Sequence, residues 1–226
     1  LSGFEISIID SYVNSSSKVL ESLIKLGKEY KKDFFGKINF YKGDIRDELL
    51  LDSIFKKNNL NSRPITSVIH FAGFKAVGES FYDPLKYWQN NLNGSISLFK
   101  VMNQNNCRNI IFSSSATVYS QTNSFPVSEE GITAASNPYG QTKLAIEKLL
   151  HDLSNSDERW KIIVLRYFNP VGAHPSGIIG EDPVGIPNNL FPIICQVASG
   201  RIDRLKVFGN NWPTKDGTCL RDYIHV

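Results

Sequence analysis

The stretch Asn109-Ile-Ile-Phe-Ser-Ser-Ser115 decides the fold, because it joins a short apolar run to three serines and a helix start follows later in the chain. A brief apolar run that ends at turn-forming residues is typical of a buried strand in a parallel sheet. The helix start lies at Asn137 and Pro138, which suit the N-cap and the first helical position. This part of the sequence therefore predicts a strand and then a helix, the repeating unit of α/β folds.

The predicted helix carries a tyrosine and a lysine four residues apart, Tyr139 and Lys143. Residues with this spacing share one face of a helix. An ammonium group beside a phenol favours the phenolate, so we expect Lys143 to lower the pKa of Tyr139. A tyrosine with a lowered pKa can accept the proton of an alcohol. The pair is therefore a candidate acid–base group.

A second Tyr-x-x-x-Lys pattern occurs at Tyr82 and Lys86. There, Asp83 and Pro84 predict a helix that begins after the tyrosine, so the two side chains need not share a face. The pattern alone does not define a site, and the residues around Tyr139 decide between the two.

Apolar runs and helical spacing alternate through the first 168 residues. They predict four further strands, at residues 6–9, 38–41, 68–71 and 162–165, and helices within residues 11–33, after residue 44 and over residues 84–105. Such alternation implies a Rossmann-type, doubly wound parallel sheet covered on both faces. We therefore expect a dinucleotide-binding domain at residues 1–168. Residues 169–226 lack the alternation and are expected to form part of a smaller substrate-binding region.

Polar residues stand at the predicted strand ends, where parallel α/β sheets bind their ligands. Asp10 can take the ribose hydroxyls of NAD and repel the extra phosphate of NADP, although a helix cap or solvated turn is an equal alternative. Asp44 and Ile45 can hold the adenine ring, and Asp44 can also be the N-cap of the next helix. Ser115 can donate a hydrogen bond to the substrate oxygen that Tyr139 deprotonates.

The composition argues against several classes of protein. The 226 residues carry a net charge of +3 without a basic block, so nothing indicates a nucleic-acid partner. No apolar run approaches the roughly 18 residues of a membrane helix, so no membrane is expected. The cysteines lack a zinc spacing, so no metal is expected, and they fit a reducing cytosol and a cytoplasmic location. They are Cys107, Cys195 and Cys219.

Six segments connect the chain with a known family. They are Val68-Ile-His-Phe-Ala-Gly-Phe-Lys-Ala-Val-Gly-Glu-Ser80, Ile111-Phe-Ser-Ser-Ser-Ala-Thr-Val-Tyr119, Pro138-Tyr-Gly-Gln-Thr-Lys143, Leu165-Arg-Tyr-Phe-Asn-Pro-Val-Gly-Ala-His-Pro175, Gly180-Glu-Asp-Pro-Val-Gly-Ile-Pro-Asn-Asn-Leu190 and Asp216-Gly-Thr-Cys-Leu-Arg-Asp-Tyr-Ile-His-Val226. In this order and over essentially the whole chain, they closely resemble the UDP-galactose 4-epimerases of the extended short-chain dehydrogenase/reductase family.

The resemblance implies an isomerase that interconverts UDP-galactose and UDP-glucose by transient oxidation at sugar C4. Hydride would pass from C4 to NAD and return to the other face of the 4-keto sugar. Tyr139 would accept the proton of the 4-hydroxyl, Lys143 would lower its pKa and bind the nicotinamide ribose, and Ser115 would steady the oxygen. The full-length enzyme would be a homodimer with a UDP-sugar substrate.

The resemblance also assigns binding residues. Arg221 would pair with the diphosphate, since a guanidinium binds phosphate bidentately, unless it forms a surface salt bridge. The NAD contacts would be Asp10, Asn14, Asp44, Ile45, Phe71, Ala72, Gly73, Lys75, Asn90, Ser115, Tyr139, Lys143 and Phe168. The sugar-nucleotide contacts would be Lys75, Ser115, Tyr139, Asn169, Asn188, Asn189, Leu190, Phe208 and Arg221.

The chain departs from the family pattern mainly at its ends. The glycine-rich turn and the first strand are absent, and the sequence stops at Val226 within an apolar run, so we expect an internal piece of a longer reading frame. The first strand is central in this type of sheet, so we expect the piece alone neither to hold NAD tightly nor to turn over. Ser120, where the family usually has glycine, is expected to be tolerated.

Two other functions stay open on the sequence. An NAD-dependent nucleotide-sugar 4,6-dehydratase shares the fold and the Tyr-Lys pair, but it needs acidic residues after the active-site strand, where this chain has Ala116 and Thr117. A non-catalytic NAD- or sugar-nucleotide-binding protein tends to lose the tyrosine or the lysine, and this chain keeps both. We therefore favour epimerisation.

Overall fold

The computed structural model describes residues 4–30, 38–122, 124–181, 187 and 189–226. The strands in these residues are β1 Ile6–Asp10, β2 Ile38–Lys42, β3 Val68–His70, β4 Asn109–Ser115, β5 Lys161–Tyr167, β6 Asn169–Val171 and β7 Tyr223–His225. The α-helices are α1 Lys18–Tyr30, α2 Glu48–Leu60, α3 Val77–Tyr82, α4 Pro84–Tyr87, α5 Gly94–Gln104, α6 Pro138–Ser156 and α7 Leu190–Ala198. A π-helical segment, Trp88–Asn93, joins α4 to α5, and a 3-10 turn, Ala116–Val118, follows β4.

A parallel three-stranded sheet in the order β3-β4-β5 positions the candidate site. In its register Ser114 lies opposite Arg166 and Ser115 lies opposite Tyr167. Strands β1 and β2 form a separate pair, and β6 and β7 form a parallel pair. The five strands that the sequence predicts are confirmed, with ends that shift by at most two residues.

One face of the three-stranded sheet supports the main hydrophobic core. Phe112 of β4 is fully buried, and it belongs to one cluster with Met102 of α5 and Ile146 of α6. Burying a side chain of this size contributes about 1.5–3 kcal/mol. The alternate residues of the strands point the other way, and there Ile69 and Ile163 are exposed. The sequence predicts that both faces of the sheet are covered. Among the described residues, only one face of this three-stranded sheet is covered.

The chain divides into two compact units. The first consists of Ser7–Ser11 and Phe40–Tyr167 and contains the three-stranded sheet with α2 to α6. The second consists of Leu1–Ile6, Tyr12–Asn39 and Phe168–Val226 and contains α1, α7 and the β6–β7 pair. In the second unit, the rings of Phe191 and Tyr223 pack edge to face with centroids 5.4 Å apart.

The structure corrects three predictions about local elements. The helix expected over residues 84–105 is interrupted by the π-helical segment, and α3 precedes it without having been predicted. The N-cap of α2 is Asp47, which accepts from the Leu50 N–H at 2.9 Å. Asp44, which was the predicted cap, accepts instead from the Arg46 N–H. The region after residue 168 contains α7, which was not predicted because the region is rich in proline and glycine.

Within the described part of the chain, no helix combines the length and the apolarity needed to cross a membrane.

Candidate active site

The first turn of α6 fixes the candidate acid–base pair. Asn137 Oδ1 accepts from the Gly140 N–H at 2.8 Å, and Pro138 follows the cap, so the predicted helix start is confirmed. Tyr139 and Lys143 lie one turn apart on the side of α6 that faces the protein, with exposures of 8% and 4%. This burial distinguishes them from a surface coincidence.

The second Tyr-x-x-x-Lys pattern does not form a pair. Tyr82 is the last residue of α3 and is 91% exposed, whereas Lys86 lies in α4. Asp83 caps the new helix by accepting from the Lys86 N–H, as the sequence predicts. The Lys86 ammonium pairs with Glu79 at 2.5 Å instead.

Lys143 is held by the end of β4. Its Nζ donates to the Ser113 carbonyl at 2.7 Å and lies 4.8 Å from the ring centroid of Phe112 and 5.9 Å from that of Tyr139. Burial disfavours the ammonium and lowers the pKa of Lys143 to about 8. Lys143 therefore loses its proton at a lower pH than an exposed lysine does, and it is still mostly an ammonium at neutral pH.

Tyr139 has a raised pKa, so the predicted lowering of its pKa by Lys143 is wrong for this arrangement. Burial of the phenol is the largest cause, and a hydrogen bond with Ser115 opposes it. The Lys143 ammonium is engaged with the Ser113 carbonyl rather than with the phenol oxygen. The partner that favours the phenolate is thus the serine.

Ser115 lies where β4 ends and is 9% exposed. Its Oγ accepts from the Thr117 N–H at 3.2 Å and from the Thr117 hydroxyl at 3.0 Å. Together with its bond to Tyr139, these contacts join the strand end to the first turn of α6. The structure therefore brings Ser115, Tyr139 and Lys143 together, as the sequence predicts.

A partly buried ion pair supports this strand end, and the sequence had not indicated it. Glu147 lies four residues after Lys143 on α6, accepts from the Ser114 hydroxyl and pairs with Arg166 of β5 at 2.8 Å. The hydrogen bond with Glu147 is the main reason that the pKa of Arg166 is raised. Arg166 also lies 4.8 Å from the ring centroid of Tyr119. The i, i+4 spacing from Lys143 was the signal that could have drawn attention to Glu147.

The turn after β3 is fixed by an asparagine that the sequence had not indicated either. Asn91 is 1% exposed, accepts from the Phe74 N–H at 2.8 Å and donates to the Phe74 carbonyl at 3.0 Å. The predicted Asn90 donates to Asn91 at 3.0 Å. A Cβ on Gly73 would lie 3.2 Å from Asn91 Oδ1 and 3.7 Å from Lys143 Nζ, so this turn approaches the lysine closely.

His70, at the end of β3, is a buried titratable group beneath the site. It is 3% exposed, its Nε2 lies 2.9 Å from Ser95 Oγ, and its ring packs on Phe112 with centroids 5.6 Å apart. Burial, and secondly the charge of Lys143, lower its pKa to about 3. His70 is therefore neutral at physiological pH.

The other predicted cofactor residues of the first unit lie at the strand ends. The carbonyl of Asp10 accepts from the Gly43 N–H at 3.0 Å, and Ile45 is buried against Gly94. The carboxylate of Asp44 accepts from Arg46 Nη2 at 2.6 Å, and this hydrogen bonding lowers the pKa of Asp44. The exposed members of the predicted set are Phe71, Ala72 and Lys75.

The predicted residues of the second unit are mostly at its surface. The Asn169 N–H donates to the Asp222 carbonyl at 3.2 Å, and Asn189 donates to Glu181 at 2.8 Å. Arg221 donates to the Leu220 carbonyl at 2.8 Å. The exposed members are Asn14, Phe168, Leu190, Phe208 and Arg221. Asn188 lies outside the described residues.

Gly140→Ala is expected to destabilise the chain although alanine favours helices. The added Cβ would lie 2.8 Å from the Thr117 carbonyl oxygen, and overpacking of this kind costs about 1–3 kcal/mol. Gly78→Ala in α3 is the matched control, because apart from its own helix and chain neighbours no atom of the described residues lies within 4 Å of its Cβ, and it is expected to stabilise by about 0.5–1 kcal/mol. Urea unfolding measures both, and equal effects would contradict the close approach of α6 to Thr117.

The chain matches one protein family over almost its full length. The model of the NAD dependent epimerase/dehydratase family matches residues 2–226. The UDP-glucose 4-epimerase of Bacillus subtilis is 50% identical over 226 residues, which are 100% of this chain and 63% of that protein. The UDP-glucose 4-epimerase GEPI48 of Cyamopsis tetragonoloba is 53% identical over 226 residues and is covered to 62%.

Solved structures give the same result. The UDP-glucose 4-epimerase of Bifidobacterium longum, in complex with NAD+ and UDP, has a TM-score of 0.89 and 46% identity and covers 99% of this chain and 63% of its own. The enzyme from Stenotrophomonas maltophila, with bound NAD and formylated UDP-arabinopyranose, has a TM-score of 0.88 and 43% identity, with the same coverage. The chain thus spans about 63% of the length of these relatives.

The parallel sheet with its helices defines an α/β protein of the Rossmann type, and the buried Ser-Tyr-Lys group is its candidate acid–base site at a strand end. More particularly, the chain belongs to the NAD dependent epimerase/dehydratase family.

Proposed function

We propose that the protein to which these residues belong interconverts UDP-galactose and UDP-glucose with NAD as its cofactor. The observation that carries this proposal is the buried group of Ser115, Tyr139 and Lys143 at the end of β4. Its support is the identity of 50% to a UDP-glucose 4-epimerase over the whole of this chain. The substrate and the cofactor follow from the relatives and are part of the proposal.

The close approach of the turn after β3 to Lys143 supports the proposal of a bound dinucleotide. Gly73 has no side chain where the turn after β3 approaches Lys143, and a Cβ there would crowd Asn91. The Lys143 ammonium supplies donors beside that turn. NAD, when bound, would take up the hydrogen of sugar C4 as hydride and return it. We propose as its contacts the residues Asp10, Asn14, Asp44, Ile45, Phe71, Ala72, Gly73, Lys75, Asn90, Ser115, Tyr139, Lys143 and Phe168.

The protein's own acid–base chemistry would run between the sugar 4-hydroxyl and Tyr139. Tyr139 in its phenolate form accepts the hydroxyl proton and, as the neutral phenol, returns it, and Ser115 stabilises the phenolate by donating a hydrogen bond to its oxygen. Lys143 is held by the Ser113 carbonyl at one end of this group, so its position is set before substrate arrives. Burial of all three side chains shields the proton transfer from water.

A sugar nucleotide is the proposed substrate. We propose a nucleotide-binding domain over residues 1–168 and a sugar-nucleotide-binding region over residues 169–226. The proposed contacts are Lys75, Ser115, Tyr139, Asn169, Asn188, Asn189, Leu190, Phe208 and Arg221.

We also propose a homodimer and a cytoplasmic location for the whole protein. The location is supported by free thiols at Cys107, Cys195 and Cys219, which suit a reducing compartment. Sedimentation of the complete reading frame tests the dimer, and a monomer at working concentrations would contradict it.

The epimerase proposal is tested with the complete reading frame that contains these residues. Purified protein with NAD is incubated with UDP-galactose, and the sugar nucleotides are followed by proton NMR. We expect UDP-glucose to form until the two sugars reach equilibrium, from either direction. A 4-keto-6-deoxy product would instead establish a dehydratase, and bound NAD without any turnover would indicate a non-catalytic protein.

A further inference from the structure

Thr117 makes two contacts with a single atom of the proposed site. It lies in the 3-10 turn after β4, and both its backbone N–H and its hydroxyl donate to Ser115 Oγ, at 3.2 Å and 3.0 Å. Its side chain has no assigned part in the chemistry described above. The two contacts nevertheless determine what Ser115 can do.

A serine hydroxyl has one proton to donate and two lone pairs that can accept. The bonds from Thr117 occupy both acceptor positions of Ser115. Ser115 can then form a further hydrogen bond only by donating its own proton. Its bond with Tyr139 accordingly runs from the serine hydroxyl to the phenol oxygen.

We propose that Thr117 is a positioning residue that fixes Ser115 as a hydrogen-bond donor toward the phenol oxygen of Tyr139. A hydrogen bond donated to that oxygen stabilises the phenolate relative to the phenol. Thr117 therefore acts on the proposed base through Ser115. The catalytic meaning of this inference rests on the proposed function, whereas the hydrogen bonds themselves do not.

The packing of α6 holds Thr117 in place. A Cβ on Gly140 would lie 2.8 Å from the Thr117 carbonyl oxygen and 3.2 Å from its Oγ1, so the helix backbone lies directly against this residue. Ser115 and Tyr139 are both at least nine-tenths buried. In such surroundings water competes little for these hydrogen bonds, so each group keeps its role as donor or acceptor.

Thr117→Val is the test variant, because valine keeps the branched shape and the backbone N–H but removes the hydroxyl. In the complete reading frame we expect kcat to fall about 3- to 10-fold with KM unchanged, as the loss of one hydrogen bond in the chemical step predicts. The rising limb of the pH–kcat profile, which reports the base, is expected to move to higher pH by roughly 0.5 to 1. Thr117→Ser restores the hydroxyl and is expected to restore both.

A second readout does not depend on turnover. Chains labelled with carbon-13 at the tyrosine Cζ are titrated by NMR, and the Tyr139 signal is assigned by its loss in Tyr139→Phe. We expect the pKa of Tyr139 to rise in Thr117→Val and to recover in Thr117→Ser. Thr117→Ala, which needs less room than valine, must show the same rise and replaces valine if that variant does not fold.

The same substitution in Ser115→Ala chains tests whether Thr117 acts on Tyr139 through Ser115. There, Thr117→Val is expected to change neither the titration nor the residual rate, because the intermediary is gone. An unchanged pKa in the folded Thr117→Val chain, or a shift that persists without Ser115, overturns the inference. If the proposed function is wrong instead, the unaltered protein shows no epimerase turnover, and the pKa of Tyr139 still rises in Thr117→Val.

Discussion

Tyr139→Phe is expected to lower the epimerase kcat of the complete reading frame by about 10²- to 10⁴-fold, the usual contribution of a positioned acid–base group. The substitution removes the phenol oxygen that would accept the sugar hydroxyl proton and leaves the ring in its packed position. KM is expected to change little, because the phenol oxygen takes part in the chemical step rather than in holding the nucleotide.

The fold is expected to survive this substitution. Tyr139 loses one hydrogen bond, to Ser115, which is worth about 0.5–1.5 kcal/mol. Circular dichroism and urea unfolding check that loss separately from turnover.

The chain supplies a matched control in its second Tyr-x-x-x-Lys pattern. Tyr82 is 91% exposed, so Tyr82→Phe is expected to leave both kcat and stability unchanged. Equal loss of turnover in the two variants, or full turnover of Tyr139→Phe, would remove Tyr139 from the chemistry.

Acid is expected to destabilise the chain strongly through His70. Burial holds the pKa of His70 at about 3, far below its value in an unfolded chain. The unfolded state therefore binds more protons than the folded state between about pH 6.5 and pH 3, and stability falls as the pH falls through this window. The contribution of His70 to this loss reaches about 3 kcal/mol at pH 4.

His70→Gln isolates this contribution, because glutamine can bond to Ser95 but does not titrate in this range. The difference in unfolding free energy between the unaltered chain and His70→Gln is measured in urea at pH 7.5 and pH 4. Between pH 7.5 and pH 4, we expect the unaltered chain to lose about 3 kcal/mol more unfolding free energy than His70→Gln loses. Shared carboxylates such as Asp44 titrate in both proteins and cancel.

His151→Gln is the control for this measurement. The His151 side chain is 74% exposed, so its replacement is expected to change the unfolding free energy little. If the unfolding free energies of His70→Gln and the unaltered chain differ by the same amount at pH 7.5 and at pH 4, burial does not hold His70 neutral.

The sequence predicted those features that short-range patterns determine. Apolar runs bounded by turn residues located β1 to β5, since a buried parallel strand leaves that pattern in one continuous segment. Asn137 and Pro138 located the start of α6, because capping is decided within four residues. From this start the shared face of Tyr139 and Lys143 followed directly.

Features that depend on tertiary contacts were not predictable in this way. The π-helical segment Trp88–Asn93 departs from the usual helical period, and it is Asn91 rather than Asn90 that reaches the Phe74 backbone. The pKa of Tyr139 depends on how completely the fold buries the phenol, and no pattern in the sequence reports that. The Glu147–Arg166 pair joins α6 to β5 and exists only after both have packed.

The most direct test of the central claim follows the hydrogen at sugar C4. UDP-galactose with deuterium at C4 is converted by the complete reading frame in ordinary water, and the UDP-glucose product is analysed by NMR and mass spectrometry. Because the proposed reaction removes this hydrogen and returns it to the same carbon, we expect the deuterium to remain at C4 with inverted configuration. Replacement of the deuterium by solvent hydrogen, or absence of UDP-glucose, would contradict the account.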